Sequence, residues 1–281
     1  MADTTKISWT DATWNPWIGC TKVSPGCKNC YAERMEERAR RDFSKVRRAK
    51  KFDAPLKWDI ALDDEGNGGK VFTCSMSDFF HADADAWRAE AWEIIRRTPH
   101  LTYQILTKRP ERIADHLPTT CFGCGQVPFI SPAFGEALGL VCLCTSKTHN
   151  MAEMRPKPWP WPNVWLGTSV ETQQFAEKRI PELINVPARV HFLSCEPLLG
   201  PIDFQVSPSE DGLSAGFLDD IEWVIIGGES GPGFREMKME WAEGIRLQCQ
   251  NLDTPIPVWS KQVSAFRSET PFPEGWPREM P

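Results

Sequence analysis

One strand–helix–strand unit occupies residues 70–109, KVFTCSMSDFFHADADAWRAEAWEIIRRTPHLTYQILTKR. Two short β-prone runs stand at its ends, and a helical pattern of apolar residues lies between them. This order is typical of parallel sheets, in which a helix returns the chain to start the next strand in the same direction. The alternation continues along the chain, so we predict an α/β fold, a partial (β/α) barrel of about six parallel strands.

Seven β-prone runs predict the strands: Ile7–Trp14, Lys70–Met76, Thr102–Thr107, Asn163–Val170, Arg189–Cys195, Glu222–Ile226 and Pro257–Lys261. Four helical patterns lie between them: Tyr31–Arg48, Ala84–Arg97, Thr172–Leu183 and Glu240–Gln250. In the first of these helices, Ala32, Met35 and Ala39 form one apolar side.

The composition is that of an ordinary globular protein, with 41% hydrophobic and 25% charged residues and a mean hydropathy of -0.39. No apolar run approaches the roughly 20 residues that a membrane-spanning helix needs, and Met1–Trp9 is too polar for a signal peptide. We therefore predict a cytoplasmic protein with no membrane partner. The formal net charge of -6 argues against a general coating of nucleic acid but allows a local basic patch.

The 10 cysteines fall into two groups and three single positions. The first group is Cys20, Cys27 and Cys30; the second is Cys121, Cys124, Cys142 and Cys144; the single ones are Cys74, Cys195 and Cys249. Thiols stay reduced in the cytoplasm, so grouped cysteines there indicate metal binding or chemistry rather than a disulfide framework.

The first group has the spacing C-x6-C-x2-C and lies between the first predicted strand and the first predicted helix. Three thiolates on one loop suit a four-iron four-sulfur (4Fe-4S) cluster whose fourth iron stays open for a ligand. Structural zinc is the alternative, with a fourth ligand from His81, Cys74 or Cys195. Reactive free cysteines are a third interpretation. The spacing alone does not separate the cluster from zinc.

Six motifs resemble those of the phage-associated three-cysteine-motif protein family, a divergent relative of the radical S-adenosylmethionine (SAM) enzymes. They are TWNPWIGCTKVSPGCKNCYAE, VFTCSMSDFFH, YQILTKRP, NVWLGTSVE, FLSCEPLLGPID and WVIIGGESGPGFR. The resemblance runs from about Ile7 to about Lys261. Its cysteine spacing departs from the usual radical SAM pattern, which has three residues between the first two cysteines where this chain has six.

This resemblance implies a partial barrel with SAM bound at the open iron of a 4Fe-4S cluster. It implies that reduction, by an electron donor such as flavodoxin or ferredoxin, cleaves SAM to a 5′-deoxyadenosyl radical, which abstracts a hydrogen atom from the substrate. The cofactors carry the difficult chemistry, and the protein positions the substrate and excludes water from the site.

Polar residues follow five of the predicted strands, where barrels carry their reactive groups. Lys108 or Arg109 is expected to meet the SAM carboxylate. The remaining cofactor-binding candidates are Ser75, Asp78 and Ser169 for the ammonium or ribose, Glu171 for the ribose diol, Tyr31 for adenine, and Gly227, Gly228 and Glu229 for adenine or substrate. The plainer interpretation is that strand ends meet loops and loops are polar.

Two residues at the end of the fifth predicted strand are candidate catalytic groups. Cys195 could donate a hydrogen atom to a product radical, or it could be a small buried hydrophobic residue. Glu196 could act in acid–base chemistry. With Asp78 and Glu171 it also forms the basis of an alternative function, a carboxylate-dependent hydrolase or transferase.

We predict that residues 1–118 and 163–281 form the barrel. Residues 119–162 are then a cysteine-rich insertion into it. The second cysteine group of the insertion, Cys121, Cys124, Cys142 and Cys144, predicts structural zinc, because four thiolates from two turns suit a tetrahedral site. An auxiliary iron–sulfur cluster and the absence of a metal are the alternatives, and His149 could replace one sulfur.

The segment 34–51 holds nine Lys or Arg and three acidic residues. It could bind along the phosphate backbone of a nucleic acid. Alternatively, it could be a solvated helix face on which Glu36 and Glu37 pair with Arg40 and Arg41. With the resemblance, it favours a DNA base or nucleotide as substrate, in an isomerase- or lyase-type step of phage base hypermodification. A non-catalytic, zinc-stabilised nucleic-acid-binding protein is the other alternative.

Overall fold

The centre of the protein is a seven-stranded, all-parallel sheet that curls into a half-barrel. The computed structural model describes residues 5–59, 68–120, 129–130, 140–141, 159–205, 216–266 and 270–281. The strands of the sheet, in spatial order, are β1 (Ala12–Trp14), β4 (Lys70–Thr73), β5 (Thr102–Thr107), β8 (Val164–Ser169), β9 (His191–Cys195), β10 (Trp223–Gly227) and β11 (Val258–Gln262). The predicted partial (β/α) barrel is confirmed, with seven strands.

Within the described ranges, five α-helices accompany the sheet: α1 (Tyr31–Arg38), α2 (Pro55–Trp58), α3 (Asp85–Arg97), α4 (Gln173–Ile184) and α5 (Met239–Gln250). Two short antiparallel pairs complete the strands, β2 (Trp17–Ile18) with β3 (Arg47–Arg48) and β6 (Phe129–Ile130) with β7 (Leu140–Val141). The described helices contain none that is long and apolar enough to cross a membrane.

Each predicted strand run overlaps a strand of the sheet, and one run matches its strand at both ends. The first run is the most shortened, because β1 begins only at Ala12. Upstream of it, the Trp9 ring packs edge-on against Phe72 and Trp223, with ring centroids 4.7 and 5.8 Å away. Trp9 therefore fills the concave face of the half-barrel instead of extending β1.

The first predicted helix was wrong at its end and on its apolar side. Helix α1 stops at Arg38, and Arg40 adopts a left-handed backbone with φ of 57°, which an α-helix does not allow. Met35 is 53% exposed, whereas Glu36 is buried because its carboxylate pairs with Arg47 of β3. An ion pair with a residue outside the helix thus overrides the apolar pattern within it.

The strands separate two apolar layers. Residues of the strands that face the helices form the larger layer, to which α3, α4 and α5 contribute Ile95, Ile180 and Ile245. The opposite, concave face is lined by aromatic residues, including Trp165 and Trp259. This alternation leaves the carboxyl ends of the strands as the polar rim of the half-barrel.

The insertion is described only in part. Besides β6 and β7, its last residues pack on the barrel: Trp161 is fully buried, with its ring centroid 5.6 Å from that of Trp92 in α3. The four cysteines at 121, 124, 142 and 144, and His149, lie outside the described residues. The zinc site in the insertion therefore stays a prediction.

Candidate functional site at the mouth of the half-barrel

The first cysteine group lies on one loop, Cys20–Cys30, which we call the cysteine loop. It connects β2 to α1 and crosses the carboxyl ends of the parallel strands. All three cysteines are half-buried and carry free thiols. Pro25 starts a single 3₁₀ turn that ends at Cys27, which suits a proline because its missing N–H is not needed at the first position.

Burial controls the protonation of two of these thiols. It raises the pKa of Cys20 to about 12; the Asp78 carboxylate adds to the rise, and the Arg109 guanidinium opposes it. Burial also raises the pKa of Cys30, although hydrogen bonds from the backbone N–H groups of Glu33 and Ala32, at the start of α1, act to lower it. In the metal-free chain, Cys20 and Cys30 are therefore thiols at neutral pH, and a metal must displace their protons.

The first set of contacts to the cysteine loop comes from the ends of β4 and β5. Asp78 accepts hydrogen bonds from Thr107 Oγ1 at 2.7 Å and from the backbone N–H of Lys108 at 2.9 Å, and it pairs with Arg109 Nη1 at 3.0 Å. Arg109 Nη2 then donates to the carbonyl and the hydroxyl of Thr21, both at 2.9 Å. The guanidinium is buried and held by the loop and Asp78.

The same guanidinium also reaches a sulfur atom. Arg109 Nη1 lies 3.6 Å from Cys20 Sγ and donates to it. A hydrogen bond to a ligand sulfur stabilises the reduced form of a metal cluster. This contact would therefore raise the reduction potential of a cluster bound to Cys20.

The second set of contacts centres on Glu171, which follows β8 and is 0% exposed. One oxygen accepts a hydrogen bond from Ser24 of the cysteine loop and lies 3.3 Å from Lys108 Nζ. The other pairs with Arg179 of α4 at 2.7 Å, and Arg179 also donates to the carbonyl of Ser169. Burial alone would raise the pKa of Glu171, but Lys108, Arg179 and the Ser24 hydrogen bond hold it below its usual value.

The third set of contacts comes from the segment after β10. Glu229 accepts a hydrogen bond from Asn29 Nδ2 at 2.9 Å and forms a two-point ion pair with Arg235. Asn29 also donates to the carbonyl of Gly233 at 2.8 Å. Burial would raise the pKa of Glu229, but its bonds to Arg235 and Asn29 lower it.

Other predicted site residues line the open mouth. The Tyr31 hydroxyl donates to the backbone carbonyl of Ser75, while the tyrosine side chain is 48% exposed. Lys108 keeps part of its side chain accessible, and Ser169 is in register with Ser194 of β9 at the top of the concave face.

The two candidate catalytic residues lie on opposite sides of the sheet. Glu196 pairs with Lys261 of β11 at 2.6 Å, and its side chain lies against Gly227, so these residues share the mouth. Cys195 is fully buried in the helix-side layer, where the nearby Cys249 thiol adds to the rise in its pKa that burial causes. This position fits the interpretation of Cys195 as a small buried hydrophobic residue.

A comparison with protein families matches residues 4–273 to a protein of unknown function, DUF5131. The chain belongs to the DUF5131 family. Neither the comparison with curated proteins nor that with solved structures found a match. The family description names no activity, so the function of this DUF5131 chain has to be inferred from its site.

The donors of the cysteine loop are three free thiols, a ligand type that both a 4Fe-4S cluster and a zinc ion take. In the described ranges, no three His, Cys, Asp or Glu side chains converge as ligands of one metal ion do. The proposed fourth zinc ligand His81 bonds Thr21 Oγ1 at 3.0 Å through Nε2. A 4Fe-4S cluster takes one thiolate per iron, so its three protein ligands need not converge on one point.

Several residues of the DUF5131 site were missed in the sequence. They are the residues of the cysteine loop that make the contacts, Thr21, Ser24 and Asn29, and the cations Arg179, Arg235 and Lys261. One signal was available: a hydroxyl or amide residue lies within three positions of each cysteine. The cations had no local signal, because each lies far along the chain from the cysteine loop.

Gly26 allows the cysteine loop to approach Glu171. A Cβ at Gly26 would lie 2.5 Å from Glu171 Cγ, closer than van der Waals contact allows. We expect Gly26→Ala to destabilise the fold by about 1–3 kcal/mol in chemical denaturation. Gly244→Ala in α5 is the matched control, because nothing lies near its added methyl, and should stabilise by up to about 1 kcal/mol. Equal effects of the two variants would contradict the close approach.

Proposed function

We propose that this DUF5131 chain is a radical SAM enzyme in which Cys20, Cys27 and Cys30 hold a 4Fe-4S cluster with one open iron. The observation that carries the proposal is the position of three free thiols on one loop at the mouth of a parallel half-barrel. Barrels of this kind carry their reactive groups at this end of the strands. The motif resemblance to the three-cysteine-motif family supports the same cofactors.

With SAM bound and the cluster reduced, these cofactors would supply a 5′-deoxyadenosyl radical for hydrogen abstraction. The residues of the chain would bind and orient SAM. Arg109 is held by Asp78, Thr21 and Cys20, so Lys108 is the better partner for the SAM carboxylate. The exposed ring of Tyr31 offers an apolar surface for adenine, and the aromatic concave face excludes water below it.

The contacts do not favour a carboxylate-dependent hydrolase. Asp78 and Glu171 are both buried, and each forms an ion pair with an arginine and accepts further hydrogen bonds. A general acid or base needs a proton-transfer path to substrate. Of the three carboxylates proposed for that chemistry, Glu196 has the most open position, and its Lys261 partner makes the pair a candidate substrate contact.

A nucleotide or DNA base remains the proposed substrate, in an isomerase- or lyase-type reaction. At least four of the nine cations of segment 34–51 pair with carboxylates: Arg41 and Arg47 with Glu36, Lys45 with Asp42, and Arg48 with Glu90. A better phosphate site is a cleft of about 320 Å³ beside the end of β11. Its described lining residues are Lys6, Ser8, Lys261, Gln262, Pro271 and Arg278. Three of them are cations, of which Lys261 also pairs with Glu196.

The cleft predicts a salt-dependent interaction. If Lys6 and Arg278 contact phosphate, Lys6→Ala and Arg278→Ala should each lower the slope of log affinity against log salt by about 1 for a DNA oligonucleotide. Fluorescence anisotropy across a salt series measures this slope. Lys178→Ala, at an exposed lysine of α4, is the control. An unchanged slope in both cleft variants would remove the cleft from the substrate path.

The decisive experiment for the proposed activity is anaerobic. The purified chain is analysed for iron, sulfide and visible absorption, and is then incubated with SAM and a chemical reductant. We expect about four irons per chain and release of 5′-deoxyadenosine. Colourless protein after reconstitution, or iron-loaded protein that never cleaves SAM, would refute the proposal. In the cell we expect the electrons to come from a flavodoxin- or ferredoxin-type donor in the cytoplasm.

A further inference from the structure

Three carboxylate–arginine pairs surround the cysteine loop, and each lies next to a different cysteine. Asp78–Arg109 holds Thr21, the neighbour of Cys20. Glu171–Arg179 holds Ser24, whose hydroxyl lies 3.7 Å from Cys27 Sγ. Glu229–Arg235 holds Asn29, the neighbour of Cys30.

We infer that these three pairs, which we call the loop anchors, are positioning residues that hold one cysteine each in place, rather than contacts of SAM or substrate. Their carboxylates were the sequence candidates for the SAM ammonium and ribose, and for adenine or substrate. In the structure each carboxylate instead pairs with an arginine. Glu171 and Glu229 also accept a hydrogen bond from a loop side chain, and Asp78 accepts from Thr107 and the backbone N–H of Lys108. The inference deepens the proposed function and rests on it for its redox part.

The burial of the anchors explains why pairs are used instead of single charges. Asp78, Glu171, Glu229, Arg109 and Arg179 are all buried, and an isolated charge in such a place is costly. The carboxylates of Glu171 and Glu229 each accept a hydrogen bond from the loop while an arginine neutralises their charge. In the Asp78–Arg109 pair, the arginine instead donates to Thr21 of the loop.

The anchors are not equivalent, because Arg109 also donates to Cys20 Sγ at 3.6 Å. Arg235 contacts Glu229. Its link to the cysteine loop is indirect, because Glu229 accepts a hydrogen bond from Asn29. We therefore assign Arg109 a second role: it makes a cluster held by Cys20 easier to reduce, since hydrogen bonds to sulfur and nearby positive charge raise the reduction potential.

The first test uses metal-free full-length protein and does not depend on a cluster. Hydrogen–deuterium exchange is followed in peptides covering residues 19–31 for Thr21→Val, Ser24→Ala and Asn29→Ala. Each variant removes one loop side chain and leaves the buried ion pair intact. We expect the exchange of loop amides to rise about tenfold or more, because a hydrogen bond to a charged group is lost. The backbone amides of the parallel strands should keep their wild-type protection against exchange.

Ser44→Ala is the matched control, since the Ser44 hydroxyl bonds Asp42 within its own exposed turn at 2.6 Å. It should leave residues 19–31 at the wild-type exchange rate. If the three loop variants behave like this control, the loop is held by its backbone alone and the inference is wrong. If the strands also lose protection in these variants, the three loop hydrogen bonds support the whole fold rather than the loop alone, which also overturns the inference.

The second test measures the midpoint potential of the iron-loaded protein by spectroelectrochemistry. Arg109→Gln should shift it to a more negative value, Arg109→Lys should shift it less because the charge is kept, and Asn29→Ala should leave it unchanged. An unchanged potential in Arg109→Gln overturns the redox role of Arg109. If the wild-type chain binds no iron, the proposed function fails, while the exchange experiment still decides whether the anchors hold the loop.

Discussion

Replacing Cys27 with alanine is expected to abolish both the cluster and SAM cleavage. A 4Fe-4S cluster with one open iron has only three protein ligands, so the loss of one thiolate leaves two irons without a protein ligand. Iron content and release of 5′-deoxyadenosine should both fall to background in anaerobic assays. Cys27 is half-buried, so the free energy of unfolding of the metal-free chain should change by no more than about 1 kcal/mol.

The matched control for this variant is Cys249→Ala. Cys249 is buried in α5, within the helix-side layer and away from the cysteine loop. Its removal should cost some stability but leave the iron content and the turnover unchanged. Full iron loading of Cys27→Ala would show that the cysteine loop does not hold the cluster. Loss of iron in Cys249→Ala would point to general misfolding as the cause.

The second large effect is expected at Arg179. Replacing Arg179 with methionine removes the cation 2.7 Å from the fully buried Glu171 and leaves Lys108 as its remaining cationic partner. Breaking a buried pair by removing one partner typically destabilises a protein by about 3–5 kcal/mol. Urea denaturation of the metal-free chain at neutral pH measures this difference.

Arg246→Met is the control, because the Arg246–Glu243 pair of α5 is partly exposed to solvent, with 24% and 40% of the two side chains accessible. Exposed pairs of this kind contribute about 0.2–1 kcal/mol. The double variant Glu171→Gln with Arg179→Met should recover part of the loss, since no unpaired carboxylate remains buried. A loss in Arg179→Met no larger than in Arg246→Met would show that Glu171 does not depend on Arg179.

The pH dependence of this pair has a defined sign. The pKa of Glu171 is lowered in the folded chain, so its contribution to stability is complete above the pKa of the unfolded chain, about 4.3. This contribution is lost as the pH falls further, through the folded-state pKa. The stability difference between wild type and Glu171→Gln should therefore narrow below about pH 5. A constant difference down to pH 3 would contradict the lowered pKa.

The positions of the strands followed from local sequence patterns. The strand Thr102–Thr107 was predicted at both ends, and each of the other six runs overlaps the strand expected of it. The cysteine loop was also visible, since its spacing and its place before a helix are local properties. Local patterns suffice here because β-prone runs, turn residues and helix starts act over a few residues.

The first helix shows where local patterns fail. Met35 belongs to an apolar pattern but is exposed, while the charged Glu36 is buried against Arg47. Nothing within α1 indicates that β3 will pair with β2 and bring Arg47 to this position. A distant partner therefore determined which side of the helix faces inward.

The amino-acid sequence by itself thus determined the alternation of strands and helices and the three thiols of one loop. Only the tertiary structure decided which charges meet that loop. Thr21 and Arg109 are 88 residues apart, Ser24 and Glu171 147 apart, and Asn29 and Glu229 200 apart. These contacts form because curling the parallel sheet brings the ends of strands distant in sequence together around the cysteine loop, and no local preference encodes that closure.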